Sequence, residues 1–413
     1  MIPEKKTESP LASYRALDLT DENGFLCGKI FADLGMDVIK IEKPGGDAAR
    51  RLGPFYHDIP DPEKSLYWLA YNTSKRSITL NIESPDGQEI FKRLVKTAHF
   101  VFECFPPGYM DSLGLDYQVL AEINPGIIMT SITPFGQMGP YSNYKGADIV
   151  ALAMGGLMQL CGYPDRAPLR WGLEQSWPQA GAQAAMGTII AHYHRLVSGE
   201  GQHVDVSVRD CMIWSAYPSP QNWSMVKKIV GRTGFTAPRG HLNLRLNHRC
   251  KDGYVAWMPW RGEVTKKLVE YMGEEGVGGS LRETDWDQVN MEEVNQEQID
   301  RWQDDIERFC LNHTKAELHN EVMKRGLMLW PMNDVKDLRE MSQLLARHFW
   351  VDVEHPELND TVIYPGPPVK TGEGYWQIRR RAPLIGEHNE EVYKGELGFS
   401  ESQLVVLRQA GVI

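Results

Sequence analysis

No excess of basic charge runs through these 413 residues: 44 Lys and Arg stand against 55 Asp and Glu, a net charge of −11. A polyphosphate backbone finds no sequence-wide positive field here, which excludes nucleic acid as a partner. An anionic small molecule stays open, because a phosphate needs only a few local cations and backbone N–H groups. Paired cysteine spacing is missing too. Cys27, Cys104, Cys161, Cys211, Cys250 and Cys310 are scattered without a C-x-x-C, which argues against a disulfide framework and against a metal site and points to reduced thiols in a cytoplasm. Long apolar runs are absent: the longest, about Ile149 to Cys161, falls short of the ~20 residues that span a bilayer. The start, Met1-Ile2-Pro3-Glu4-Lys5-Lys6-Thr7, has no apolar signal region. The expectation is a cytoplasmic protein that is neither secreted nor inserted in a membrane.

What is present is an alternation. The length suits two domains, and the first half switches between β-like runs and helical segments, the pattern of a parallel sheet covered by helices. Tyr14 to Thr20 reads as a strand, Phe25 to Leu34 as an amphipathic helix and Asp37 to Glu42 as a second strand. Pro44-Gly45-Gly46-Asp47 then forms the loop at that strand's C-terminal end, where open α/β sheets hold their ligands. Ser77 to Asn81, Phe100 to Glu103 and Ile127 to Ile132 continue the strands. Ser84-Pro85 is an N-cap followed by proline, opening a helix to about Thr97. Two helices rich in small residues, Asp148 to Leu160 and Ala180 to Arg195, predict close backbone packing. From about Pro218 to Gly326 the chain turns Trp-rich and highly charged, and Thr314-Lys315-Ala316-Glu317 is a capping box. This predicts a large domain over 1–217 and 327–413 with a small α/β domain over 218–326 inserted in it.

Several segments in fixed order carry a resemblance: Asp37-Val38-Ile39-Lys40-Ile41-Glu42-Lys43-Pro44-Gly45-Gly46-Asp47, Asn72-Thr73-Ser74-Lys75-Arg76-Ser77-Ile78-Thr79-Leu80, and Gly114-Leu115-Asp116-Tyr117. Asn124-Pro125, Phe135-Gly136-Gln137-Met138-Gly139-Pro140-Tyr141, Gly199-Glu200-Gly201-Gln202-His203-Val204-Asp205-Val206-Ser207 and Arg381-Ala382-Pro383-Leu384-Ile385-Gly386-Glu387-His388 complete it. Together they resemble the class III CoA-transferases, the CaiB/BaiF-like group that includes formyl-CoA and carnitine CoA-transferases. The likeness spans nearly the whole chain. It implies a Rossmann-like large domain that binds CoA, two chains interlocked like links, and an active site where one chain meets its partner. CoA or acyl-CoA is then a substrate, with no permanently bound cofactor.

The family's chemistry, as the resemblance implies it, begins with an aspartate carboxylate attacking the thioester carbonyl. The mixed anhydride that forms is cleaved by the released CoA thiolate to an aspartyl thioester. That aspartate stands four residues before a helix glycine, here Gly181, so its place falls on Trp177. An indole has no basic lone pair and cannot carry an acyl group. No catalytic residue is therefore expected in this chain, and Glu174 is the nearest surrogate carboxylate. The resemblance also implies CoA contacts at Lys43, Lys75, Arg76, Phe105 and Lys145. Cys104-Phe105-Pro106-Pro107-Gly108 departs from the family's Asn-Phe-Arg-Pro-Gly, Ser112 stands where relatives often have arginine, and no run of four glycines is found. The Gly-His-Asp of related α-methylacyl-CoA racemases is Gly146-Ala147-Asp148 here, without the histidine. His192, His194, His203 and His388 are expected to be structural or surface residues.

These residues leave three readings. The chain is the non-catalytic subunit of a heteromeric CoA-transferase whose homologous partner bears the aspartate. Leu17-Asp18-Leu19-Thr20-Asp21-Glu22-Asn23-Gly24 resembles the E-type subunits of the succinyl-CoA:benzylsuccinate branch of the family, which serves toluene degradation. Alternatively it is an active homodimer working through Glu174, or a catalytically dead acyl-CoA-binding or scaffold protein.

Overall fold

Short β-branched and aromatic runs, each followed by a helix, assemble one parallel sheet in the computed structural model, which describes residues 9–216, 218–257, 262–372 and 374–413. The N-terminal segment expected to lack a signal region lies outside the described residues, apart from its continuation past residue 8. The strands are β1 (Arg15–Asp18), β2 (Asp37–Glu42), β3 (Arg76–Thr79), β4 (Phe100–Glu103), β5 (Ile128–Thr133) and β6 (His203–Ser207), in the spatial order β3-β2-β1-β4-β5-β6. Every neighbouring pair is parallel. Strands covered on both faces show no alternation of buried and exposed residues, and β3, β4 and β5 are buried at every residue, polar side chains of β3 included.

The covering helices are α1 (Phe25–Asp33), α2 (Pro85–Val95), α3 (Asp148–Met154) and, after the short α4 (Leu157–Leu160), α5 (Ser176–Ser198). Ser84 caps α2 by accepting the Gly87 N–H at 3.1 Å, and Pro85 sits at the first helical position, where its missing N–H costs nothing. The single helix expected over Asp148 to Leu160 is two, α3 and α4. Gly156 between them takes φ +84°, and a Cβ on Gly155 would lie 2.4 Å from the Met212 Cβ. The second small-residue helix begins earlier than expected, at Ser176, since Pro178 falls in the first turn, where proline is tolerated. Its small face packs on α1: a Cβ on Gly181 would stand 3.0 Å from that of Leu26. Of the described helices none is long and apolar enough to cross a membrane.

The chain divides into two units: residues 1–157, 170–226 and 343–413 in the first, 158–169 and 227–342 in the second. The second holds the hairpin β7 (Thr236–Arg239) and β8 (Leu242–Arg245), then β9 (Asn247–Cys250) and β10 (Gly253–Trp257). Helices α6 (Gly262–Glu274), α7 (Gln296–Cys310) and α8 (Lys315–Arg325) follow, and then β11 (Leu329–Pro331). In α7 the residues Ile299, Trp302, Ile306, Phe309 and Cys310 recur at helical spacing and enter this unit's core. The unit runs past the expected limit at Gly326 because β11 pairs antiparallel with β10.

The capping box is formed: the Thr314 Oγ1 accepts the Glu317 N–H at 3.2 Å and Glu317 accepts the Thr314 N–H at 2.8 Å. Thr314→Ala is expected to cost about 1 kcal/mol, read as a shift of the urea midpoint. The chain then returns to the first unit through the hairpin β12 (Trp350–His355) and β13 (Asp360–Pro365) and ends in α9 (Glu401–Gln409). Leu404, Val412 and Ile413 close the core under α2.

Candidate functional site

The strand order reverses between β1 and β4, and in open parallel sheets ligands lie outside the carboxyl ends of the strands at that switch. The loops there are tied together. Cys104, just after β4, donates its thiol to the Asp21 Oδ1 at 2.9 Å and accepts the Asp21 N–H at 3.1 Å. The loop after β2 is fixed by Arg50, whose guanidinium meets both oxygens of Glu42 at 2.6 and 2.8 Å and lies 3.7 Å over the Trp68 ring. Such a paired, buried fork holds its loop in one geometry.

Of the residues expected to contact CoA, three stay on this edge of the sheet. Lys43 follows β2, is largely exposed and meets Glu83 at 2.8 Å. Phe105 follows β4, half-buried, its ring 4.7 Å from that of Tyr109. Lys145 is exposed in the segment after β5.

The other two enter at the start of β3, which the register sets level with the carboxyl end of β1. The Lys75 ammonium is fully buried and spends its three donors on the Asp18 Oδ2 (2.8 Å), the Asn72 Oδ1 (2.9 Å) and the Phe25 carbonyl (3.2 Å). Burial works against both charges of the Asp18–Lys75 pair, and Lys75 with Lys40 holds the Asp18 carboxyl below its ordinary range. Arg76 meets Asp37 at 2.6 Å, Glu391 at 2.8 Å and Glu396 at 2.7 Å. Both are structural charges in this conformation, with no donor of Lys75 left for a phosphate.

The start of α5 is built on Asp148. Its Oδ1 accepts N–H groups from Gln175 and Ser176 and the Ser176 hydroxyl, all at 2.8 Å, so this carboxylate caps the helix N-terminus. The reading that singled out Gly146-Ala147-Asp148 as a histidine-less motif missed this role, which follows from the fold and not from the local sequence. Trp177 comes next, 6% exposed in the first turn. Glu174 is exposed on the preceding loop, beside Leu173 at φ +61°. Burial pushes the hydroxyls of Tyr67 and Tyr71 up, and the Glu174 charge adds to both. Among the described residues no group of three or more His, Cys, Asp or Glu is arranged to hold a metal ion.

Residues 11–389 match the model of CoA-transferase family III. The chain belongs to that family. Family III members act on CoA thioesters, so the chain is a class III CoA-transferase in fold and substrate class. It is 33% identical to the subunit BbsE of succinyl-CoA:(R)-benzylsuccinate CoA-transferase from Thauera aromatica, over 97% of each chain. It is 30% identical to the beta subunit of succinyl-CoA–L-malate CoA-transferase from Chloroflexus aurantiacus, over 98% of this chain and 99% of the other. A CaiB/BaiF family protein from Brucella suis superposes with a TM-score of 0.83 at 29% identity, covering 94% of this chain and 100% of that one.

On this family III fold one buried group was passed over by sequence reasoning. Glu103 ends β4 with its side chain 3% exposed and accepts the Phe105 N–H at 2.7 Å. The only local signal was a carboxylate closing an apolar strand. Burial pushes its carboxyl up to about 7, and the charges of Asp205 and Asp21 add to the rise against the Ser131 hydroxyl and the Phe105 N–H. Unfolded, the group titrates near its ordinary 4.5. Between those two values the folded chain keeps a proton the unfolded chain has lost, so stability falls as pH rises through that window. Glu103→Gln removes the slope, and the gap reaches about 3 kcal/mol above pH 7 at roughly 1.4 kcal/mol per pKa unit. Urea midpoints of both proteins at pH 5 and pH 8 measure it.

Proposed function

We propose that this chain is the non-catalytic subunit of a heteromeric class III CoA-transferase, and that a homologous partner supplies the aspartate that takes up the acyl group. The observation that carries the reading is Trp177. A buried indole occupies the turn where the family resemblance requires a carboxylate, and it can neither attack a thioester nor hold an anhydride. The similarity to two chains that are each named as one subunit of a succinyl-CoA-dependent transferase supports it. Succinyl-CoA is then the donor, and an aromatic dicarboxylate of the benzylsuccinate type is the favoured acceptor. The outer face of α5 supports a partner: Met186, Ile190, Tyr193, Leu196 and Val197 are exposed along one long helix.

In this reading Lys43, Phe105 and Lys145 bind acyl-CoA at the open edge of the sheet, while Lys75 and Arg76 hold the fold. The chain's role is to shape and close the partner's site, as expected of interlocked protomers. The test is transfer from succinyl-CoA to a dicarboxylate by the purified chain, alone and after co-expression with an aspartate-bearing paralogue. Turnover only in the mixture is the expected result, and turnover by the chain alone rejects the subunit reading.

A further inference from the structure

A cavity of about 430 Å³ lies within the first unit, walled by β12 and by residues 378–381, a volume in the range of small-molecule sites. The start of β3 fixes the cations in it. Ser74, at φ +66°, donates its N–H to the Arg380 carbonyl at 3.0 Å, and its hydroxyl accepts the Arg379 N–H at 3.0 Å. The Arg380 Nε is spent on the Ser74 carbonyl at 3.3 Å, while the two terminal nitrogens of its fork have no partner among the described residues. His388 enters beside it. Its Nδ1 accepts the Ser77 N–H at 3.2 Å, which leaves the proton of the neutral ring on Nε2, again without a partner among the described residues. Burial lowers the titration of this ring and the Arg380 charge adds to the fall. The other cations of the lining are occupied: Lys75 as described above, Arg381 by Glu357 and Glu387, and Arg379 by the carbonyls of Asp33 and Tyr375.

Acid faces the same space. Asp352 and Glu354 stand two residues apart on β12 and so share one face of the strand. Both are exposed, and neither carboxylate has an ion pair or a hydrogen bond among the described residues. A plain anion, a CoA phosphate included, meets these two carboxylates as well as the guanidinium. Val353, Pro356, Ile378 and Pro383 supply the apolar part of the wall. An unpaired cation, two unpaired carboxylates and an apolar surface suit a ligand that carries both signs of charge. We infer that this cavity is a binding site for an α-amino acid with an apolar side chain, its carboxylate on the Arg380 fork and the His388 Nε2–H, its ammonium on Asp352 and Glu354. A guanidinium fork presents parallel N–H groups that match a carboxylate. The site uses none of Lys43, Phe105 and Lys145 and lies beyond the transferase reading.

Calorimetric titration of the whole chain with L-leucine and L-phenylalanine, and with the N-acetyl and amide derivatives of each, tests it. Submillimolar binding of at least one free amino acid, with both of its singly charged derivatives at least about tenfold weaker, is the expected result. Arg380→Gln should weaken that binding about tenfold or more, and Glu354→Gln, at an exposed position, severalfold. The incoming carboxylate should also raise the pKa of His388, read from its ring signals by NMR. Failure of both amino acids to bind the wild-type chain, a derivative binding as tightly as its parent, or displacement of the bound amino acid by CoA overturns the inference whether or not the variants fold. No turnover is read in these titrations, so their outcome is separate from that of the transfer assay.

Discussion

Asp18→Ala should lower the stability of this chain by about 3–5 kcal/mol, read from the urea midpoint. Asp18 and Lys75 are both fully buried and their charged atoms are 2.8 Å apart. Removing the carboxylate leaves a fully buried ammonium with two neutral acceptors and no counter-ion. A Cβ on Gly28 would come within 2.2 Å of the Asp18 Oδ2, so α1 already presses on the pair. Adding Lys75→Met to Asp18→Ala should restore much of the loss, because an apolar side chain of similar length removes the orphaned charge. A loss below about 1 kcal/mol for the single change would mean that Lys75 reaches solvent, and would return it to the residues that can meet a phosphate.

Trp177→Ala should cost about 3–5 kcal/mol, the range for emptying a buried aromatic site. Trp177→Phe should cost less, since it keeps a ring in place. The two changes also separate packing from chemistry. Trp177 supplies no reacting atom in the proposed complex, so Trp177→Phe should leave the transfer rate of the reconstituted enzyme within about twofold, under 0.5 kcal/mol of barrier. A collapse of turnover with stability intact would give this indole a part in the active site.

Much of the first unit was legible from sequence, for physical reasons that differ from element to element. The β2 run Asp37–Glu42 is found to the residue because it is short, rich in β-branched Val38, Ile39 and Ile41, and closed by Pro44-Gly45-Gly46. The start of α2 is found because a serine followed by proline is both a cap and a stop. The first turn of α5 was missed because Trp177 and Pro178 look like a loop until Asp148, distant in sequence, is seen to cap it. The same blindness governs the site. Lys75 and Arg76 look like phosphate ligands until Asp18 and Asp37 are brought against them by strand pairing. Cys104 is a lone thiol in the sequence and a link between two loops in the fold. Glu103 could be placed at a strand end from sequence, but its burial and its displaced titration depend on β5 and β6 closing beside it.

The central claim is that this chain carries no acyl-accepting carboxylate. The most direct measurement is hydroxylamine trapping during turnover with succinyl-CoA, followed by peptide mass spectrometry of each chain in the reconstituted complex. The account predicts a hydroxamate on the aspartate of the partner and none on this polypeptide. A hydroxamate on Glu174, or on any other acid of this chain, would contradict it.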